Sequence, residues 1–74
     1  MTSDELALLE QQWRQEREEY ALLERLLKET GLTKKRFAEL CGMSDRMLRY
    51  KLSSDSAHLL TFAEWHLLRT LARH

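Results

Sequence analysis

The chain contains no proline, two glycines and one cysteine in 74 residues, and each scarcity excludes something. Without proline, helices meet no built-in steric stop, and only Gly31 and Gly42 offer the left-handed backbone that ends a helix cheaply. An all-α chain is the expectation. A lone Cys41 can form no internal disulfide, and with no paired thiols or Cys/His cluster a disulfide or metal framework is excluded. A reducing, cytoplasmic setting follows. Nowhere does an apolar run approach the roughly 20 residues of a membrane helix, and the opening Met1-Thr2-Ser3-Asp4-Glu5 is acidic where a signal peptide is basic. His58, His66 and His74 lack i,i+4 spacing and carboxylate or thiol partners at ligand spacing, so no metal is expected. No nucleophile–base pair, glycine-rich phosphate loop or paired acids appear, which argues against an enzyme and against a cofactor. At this length one domain over residues 1–74 is all the chain can build, and a second copy is the remaining source of stability. A homodimer is expected.

The formal net charge is zero, but the charges are segregated. Residues 1–30 carry eight acids against four bases, a balance of −4, whereas residues 31–52 carry Lys34, Lys35, Arg36, Arg46, Arg49 and Lys51 against Glu39 and Asp45, a balance of +4. The remainder is neutral. A short segment at +4 inside a neutral chain is a local footprint for a polyanion.

Leu6, Leu9 and Trp13, then Tyr20, Leu23 and Leu27, recur at helical spacing through residues 1–30. Glu16 falls on that stripe and Glu18-Glu19 follow, which argues against a long coiled coil and for two helices, or one helix with two uses. Leu22 and Leu26 widen the apolar face of the second half. Gly31 ends it. Thr33 is an N-cap for a helix over 34–41 with Phe37, Ala38 and Cys41 facing inward, Gly42 closes that helix, and Ser44 caps another over 45–52. Residues 53–56 are a polar break. A last helix runs from 61 to about 73, with Thr61 and Glu64 as a capping box and Leu60 and Trp65 as a hydrophobic staple. The expected architecture is a compact bundle of four to five helices with a helix-turn-helix over 33–52.

Within that unit Ala38 stands four residues before Gly42, Met43 follows as the apolar turn residue, and Leu48 lies six residues after Gly42, where the second helix packs inward. At 100° per residue Leu48 and Leu52 share one face while Arg46, Arg49 and Tyr50 share the opposite, basic and aromatic one. Such a face suits the major groove, where arginine bonds guanine O6 and N7 together. The stretch GLTKKRFAELCGMSDRMLRYKLS, residues 31–53, resembles the helix-turn-helix domains of the phage-repressor class, lambda repressor and Cro, and within it the anti-CRISPR-associated repressors. The resemblance implies a lambda-repressor-like fold and a dimeric repressor that binds an inverted repeat in a phage or mobile-element promoter and lowers transcription of its own operon. It implies backbone or base contacts for Lys35 and Arg36 and a base contact for Arg46. The chain departs from that pattern at Phe37 and Cys41, where smaller or plainer aliphatic residues are typical, and at Lys51, where an apolar or aromatic residue often closes the core.

Basic residues at a helix start oppose the helix dipole, so Lys34, Lys35 and Arg36 read as phosphate contacts. With Ser44, Arg46, Arg49, Tyr50 and Lys51 they complete the expected surface for double-stranded DNA. Cys41 reads as a small buried hydrophobe, Trp65 as a core residue, and Trp13 as an exposed interface anchor. The competing reading is a protein-interaction module that docks Leu6, Leu9 and Trp13 into a partner's groove.

Overall fold

Short polar side chains start the helices of this protein. In the computed structural model, which describes residues 2–53 and 58–72, Thr2 Oγ1 accepts a hydrogen bond from the Glu5 amide, Thr33 Oγ1 from that of Arg36 and Ser44 Oγ from that of Met47, at 3.1 to 3.2 Å. Each such cap is worth about 1 kcal/mol. They open α1 (Ser3–Glu16), α3 (Lys34–Cys41) and α4 (Asp45–Lys51). Before α5 (Phe62–Ala72), the Thr61 amide donates to Glu64 Oε1 at 2.9 Å and the Glu64 amide to Thr61 Oγ1 at 3.3 Å, a closed capping box. The remaining helix, α2 (Tyr20–Thr30), has no side-chain cap and ends on Gly31 at φ +75°. The described residues contain no strand and form an all-α bundle of five helices.

Gly42, also at φ +75°, makes the turn between α3 and α4. Its amide donates to Glu39 O at 3.1 Å and the Met43 amide to Ala38 O at 3.0 Å, the paired closure of a Schellman motif. Two residues later Ser44 starts α4. The turn is therefore held by backbone geometry at one end and a side-chain cap at the other.

Leu23, Leu27, Phe37, Ala38, Leu48, Leu52, Leu60, Trp65 and Leu68 form the buried core. They come from α2, α3, α4, the segment before α5, and α5. Helix α4 ends at Lys51, one residue short of the expected 45–52, with Leu52 as its C-cap; as expected, Leu48 and Leu52 are both buried, as are Leu60 and Trp65 at the start of α5. The inner face of α3 holds Phe37 and Ala38 buried, with Cys41 partly buried beside them. The C-terminal bound of α5 falls at Ala72; Arg73 and His74, like residues 54–56 of the polar break, lie outside the described residues.

The N-terminal helix differs from its sequence reading in two places. Trp13 is no exposed anchor: its Nε1 donates to Leu60 O at 2.9 Å and its ring meets Phe62 edge-on, centroids 6.0 Å apart. Glu16, a polar residue on the apolar stripe, is the one residue α1 buries. Its Oε1 accepts from Trp65 Nε1 at 3.2 Å and from Arg69 Nη1 at 2.9 Å, and Oε2 accepts from the same Nη1 at 2.7 Å. A carboxylate is tolerated there because a guanidinium and an indole N–H replace its water. The chain turns directly after it, with the Glu19 amide on Glu16 O at 2.9 Å, and α2 begins at Tyr20. Neither glycine nor proline marks that break; tertiary packing overrides local helix propensity.

Breaking this pair is costlier than removing it. Arg69→Met should lower stability by about 3 kcal/mol, because a buried carboxylate loses its counter-charge. The double variant Glu16→Gln/Arg69→Met should recover most of that loss, since the uncharged amide keeps an acceptor for the Trp65 indole. Urea midpoints of the three proteins check the order, and a double variant weaker than the single one contradicts it.

Candidate nucleic-acid interface

Helices α3 and α4, with the Ser44 cap between them, carry all eight residues expected to contact DNA, and the structure sorts them by their partners. Lys51 is separated from the rest. Its Nζ lies 2.7 Å from Glu64 Oε1, with the two side chains only 14% and 15% exposed. Its stem and ion pair tie the end of α4 to the start of α5. The structure thus gives Lys51 a supporting role in place of an exposed one.

The other charged members face water. Lys34 Nζ reaches Glu24 Oε1 on α2 at 2.9 Å, Arg36 pairs with Glu39 at 3.2 Å, and Arg49 pairs with Asp45 at 3.1 Å. The Arg36 and Arg49 side chains are 61% and 69% exposed. Exposed pairs of this kind contribute about 0–1 kcal/mol, so a phosphate can exchange for the carboxylate at little cost. Lys35 has no ion-pair partner among the described residues. Ser44 uses its hydroxyl oxygen as the α4 cap, which leaves the O–H proton available to a further acceptor.

Arg46 and Tyr50 form a unit one helical turn apart. Arg46 Nε donates to the Tyr50 hydroxyl at 3.0 Å, and the guanidinium carbon lies 5.5 Å from the ring centroid. Tyr50 remains exposed at 41%. The two faces of α4 are thus chemically opposite, with Leu48 and Leu52 in the core and Arg46, Arg49 and Tyr50 outside. Phosphate oxygens and guanine edges both suit this donor-rich exterior.

Among the described residues no group of three His, Cys, Asp or Glu side chains is placed to hold a metal ion, and no helix is long and apolar enough to cross a membrane. Burial pushes the Cys41 thiol above its ordinary value of 9.0, the Glu64 carboxylate raises it further, and the Lys51 ammonium opposes both. A docking role for the Leu6, Leu9 and Trp13 stripe loses two members, because Leu9 and Trp13 pack against the protein's own core. Leu6 and Leu8 stay exposed.

Signals for part of this sorting were present in the sequence. Arg36–Glu39 and Asp45–Arg49 are i,i+3 and i,i+4 pairs, and the Arg46–Tyr50 contact has the same i,i+4 spacing. Lys34–Glu24 and Lys51–Glu64 join different helices and have no local signature. Compared with known proteins, the chain matches no protein-family model, no curated protein and no solved structure. The functional reading therefore rests on its own residues.

Three outcomes check these assignments. Lys51→Ala should cost about 1–2 kcal/mol of stability, because Glu64 keeps only its capping bonds, while Lys35→Ala should leave thermal unfolding within about 0.5 kcal/mol of the parent. Iodoacetamide at pH 8 should alkylate Cys41 more slowly in the folded protein than in urea, since a raised thiol pKa leaves less reactive thiolate. Equal rates, followed by mass spectrometry, would remove Cys41 from its partly buried place.

Proposed function

We propose that this protein is a non-enzymatic, sequence-specific binder of double-stranded DNA that represses transcription, with α4 in the major groove and α3 against the phosphate backbone. One observation carries the reading: α4 presents Arg46, Arg49 and Tyr50 on an exposed face directly opposite its buried Leu48 and Leu52. A helix held by its apolar side can offer that basic side to a groove. Lys34, Lys35 and Arg36 at the start of α3 add cationic reach toward phosphates, and Lys51 supports the arrangement from inside. The resemblance of residues 31–53 to phage-repressor domains extends the proposal to a cytoplasmic homodimer on an inverted-repeat promoter operator, of the kind that anti-CRISPR-associated repressors serve. Trp65 and Leu68 of α5 are used in the protomer's own core, which leaves the exposed Leu6 and Leu8 of α1 as the better candidates for the contact between protomers.

Selection from a pool of randomised duplexes with the purified protein tests the reading, and enrichment of an inverted repeat is the expected result. On the enriched duplex, log affinity should fall steeply with log salt, as displaced counterions require. Lys35→Ala should weaken binding to all duplexes alike and reduce the salt slope by about one. Arg46→Ala should cost about 1–3 kcal/mol on the enriched site and relax preference at one base pair per half-site. Leu48→Ala, by contrast, should lose about 2–5 kcal/mol of folding stability. Light scattering should report a dimer at micromolar concentration, and Leu8→Glu should shift it to monomer. A flat salt dependence for a tight complex would transfer the basic face to a protein partner.

A further inference from the structure

The two arginines on the outer face of α4 are held in different ways. Arg49 Nη2 lies 3.1 Å from the Asp45 carboxylate, so one of its terminal nitrogens faces an anion within the protein. Arg46 has an uncharged partner: only its Nε is engaged, by the Tyr50 hydroxyl at 3.0 Å, with the guanidinium beside the Tyr50 ring. The two terminal nitrogens of Arg46 have no partner among the described residues, and they lie on the edge of the fork that Nε does not share.

On the footing of the DNA-binding reading, we propose that Tyr50 is a positioning residue that sets Arg46 to read one guanine per half-site end-on. Two parallel N–H donors on the Nη1–Nη2 edge match two adjacent acceptors, and only guanine shows two in the major groove, O6 and N7. Adenine places its N6 donor against one of them, cytosine offers a donor, and thymine offers one acceptor beside a methyl group. An arginine free to turn about its long side chain can satisfy its donors on any nearby phosphate instead. Tyr50 limits that freedom by occupying Nε, which removes the side-on mode of pairing, and by holding the planar group against its ring. Its own O–H, having accepted from Arg46, remains free to donate to one further acceptor on the DNA. Specificity here depends on a hydroxyl that touches the reading group, and the exposure of Tyr50 means that the fold does not depend on it.

The test uses the full chain, the duplex enriched from the randomised pool, and copies of that duplex in which each guanine is replaced singly by adenine or by 7-deazaguanine, which lacks the N7 acceptor. For the wild-type protein, one guanine per half-site should respond to both replacements with a loss on the order of tenfold. At that position Tyr50→Phe should lower the guanine-over-adenine ratio by roughly threefold or more, with the thermal midpoint and the salt slope unchanged. A Tyr50→Phe protein that discriminates as sharply as wild type overturns the proposal. So does a wild-type protein that enriches a sequence in which no guanine responds to 7-deazaguanine, a result that needs no variant and leaves DNA binding intact. Failure of the wild-type protein to enrich any sequence is a different outcome, which removes the DNA-binding reading and this inference together.

Discussion

A single carboxylate, that of Glu16, joins the two ends of the fold. It sits at the last residue of α1 and receives the indole of Trp65 and the guanidinium of Arg69 from α5, 49 and 53 residues along the chain. A charge so placed loses most of its hydration, and only close, correctly aimed donors compensate. That requirement makes the contact directional in a way that apolar packing is not. The leucines of α1 could slide; the carboxylate cannot move far from Arg69 without being stranded. Arg69 also lies over the Trp65 ring, 5.5 Å from its centroid, so one side chain stabilises both partners. Close by, Arg17 stacks on Trp13 at 4.9 Å while its buried Nε goes without a hydrogen bond.

From that joint the order of the structure runs outward through α5. The same helix that receives Glu16 packs against α2 and supplies Glu64 at its start. Glu64 closes the capping box with Thr61 and also holds Lys51 from α4. Two carboxylates, one from α1 and one on α5, thus bracket the path from the N-terminal helix to the outer helix pair. The Schellman turn at Gly42 then fixes α3 relative to α4. The exposed face of α4 owes its orientation to contacts that are themselves far from it.

Local rules were the legible part of this chain. Thr33, Ser44 and the Thr61–Glu64 box act within four residues, and Gly31 and Gly42 answer a backbone requirement of their own positions. The inward face of α4 followed from 100° spacing alone. Glu16 did not, because a stripe counts apolar residues and the donors that make a glutamate acceptable inside lie near the other end of the chain. Trp13 is hidden from the sequence for a related reason: its neighbours in sequence are thin in apolar groups, and its partners, Leu60 and Phe62, arrive from elsewhere. Lys51 has the pattern of one more surface cation, and only Glu64, thirteen residues on, distinguishes it. Within the candidate site, the residue types and the face were legible, while the division into free, exchangeable and internally committed cations required the neighbouring helices.

The placement of the two indoles has an optical consequence. Both chromophores lie at the junction of α1 and α5, Trp65 fully buried and Trp13 anchored on Leu60, and neither α3 nor α4 contains a tryptophan. Intrinsic emission from this protein is consequently a gauge of that junction. A ligand seated on the helix pair would leave the emission spectrum in place unless the bundle itself rearranged, so the emission reports the integrity of the frame and not the occupancy of the outer face.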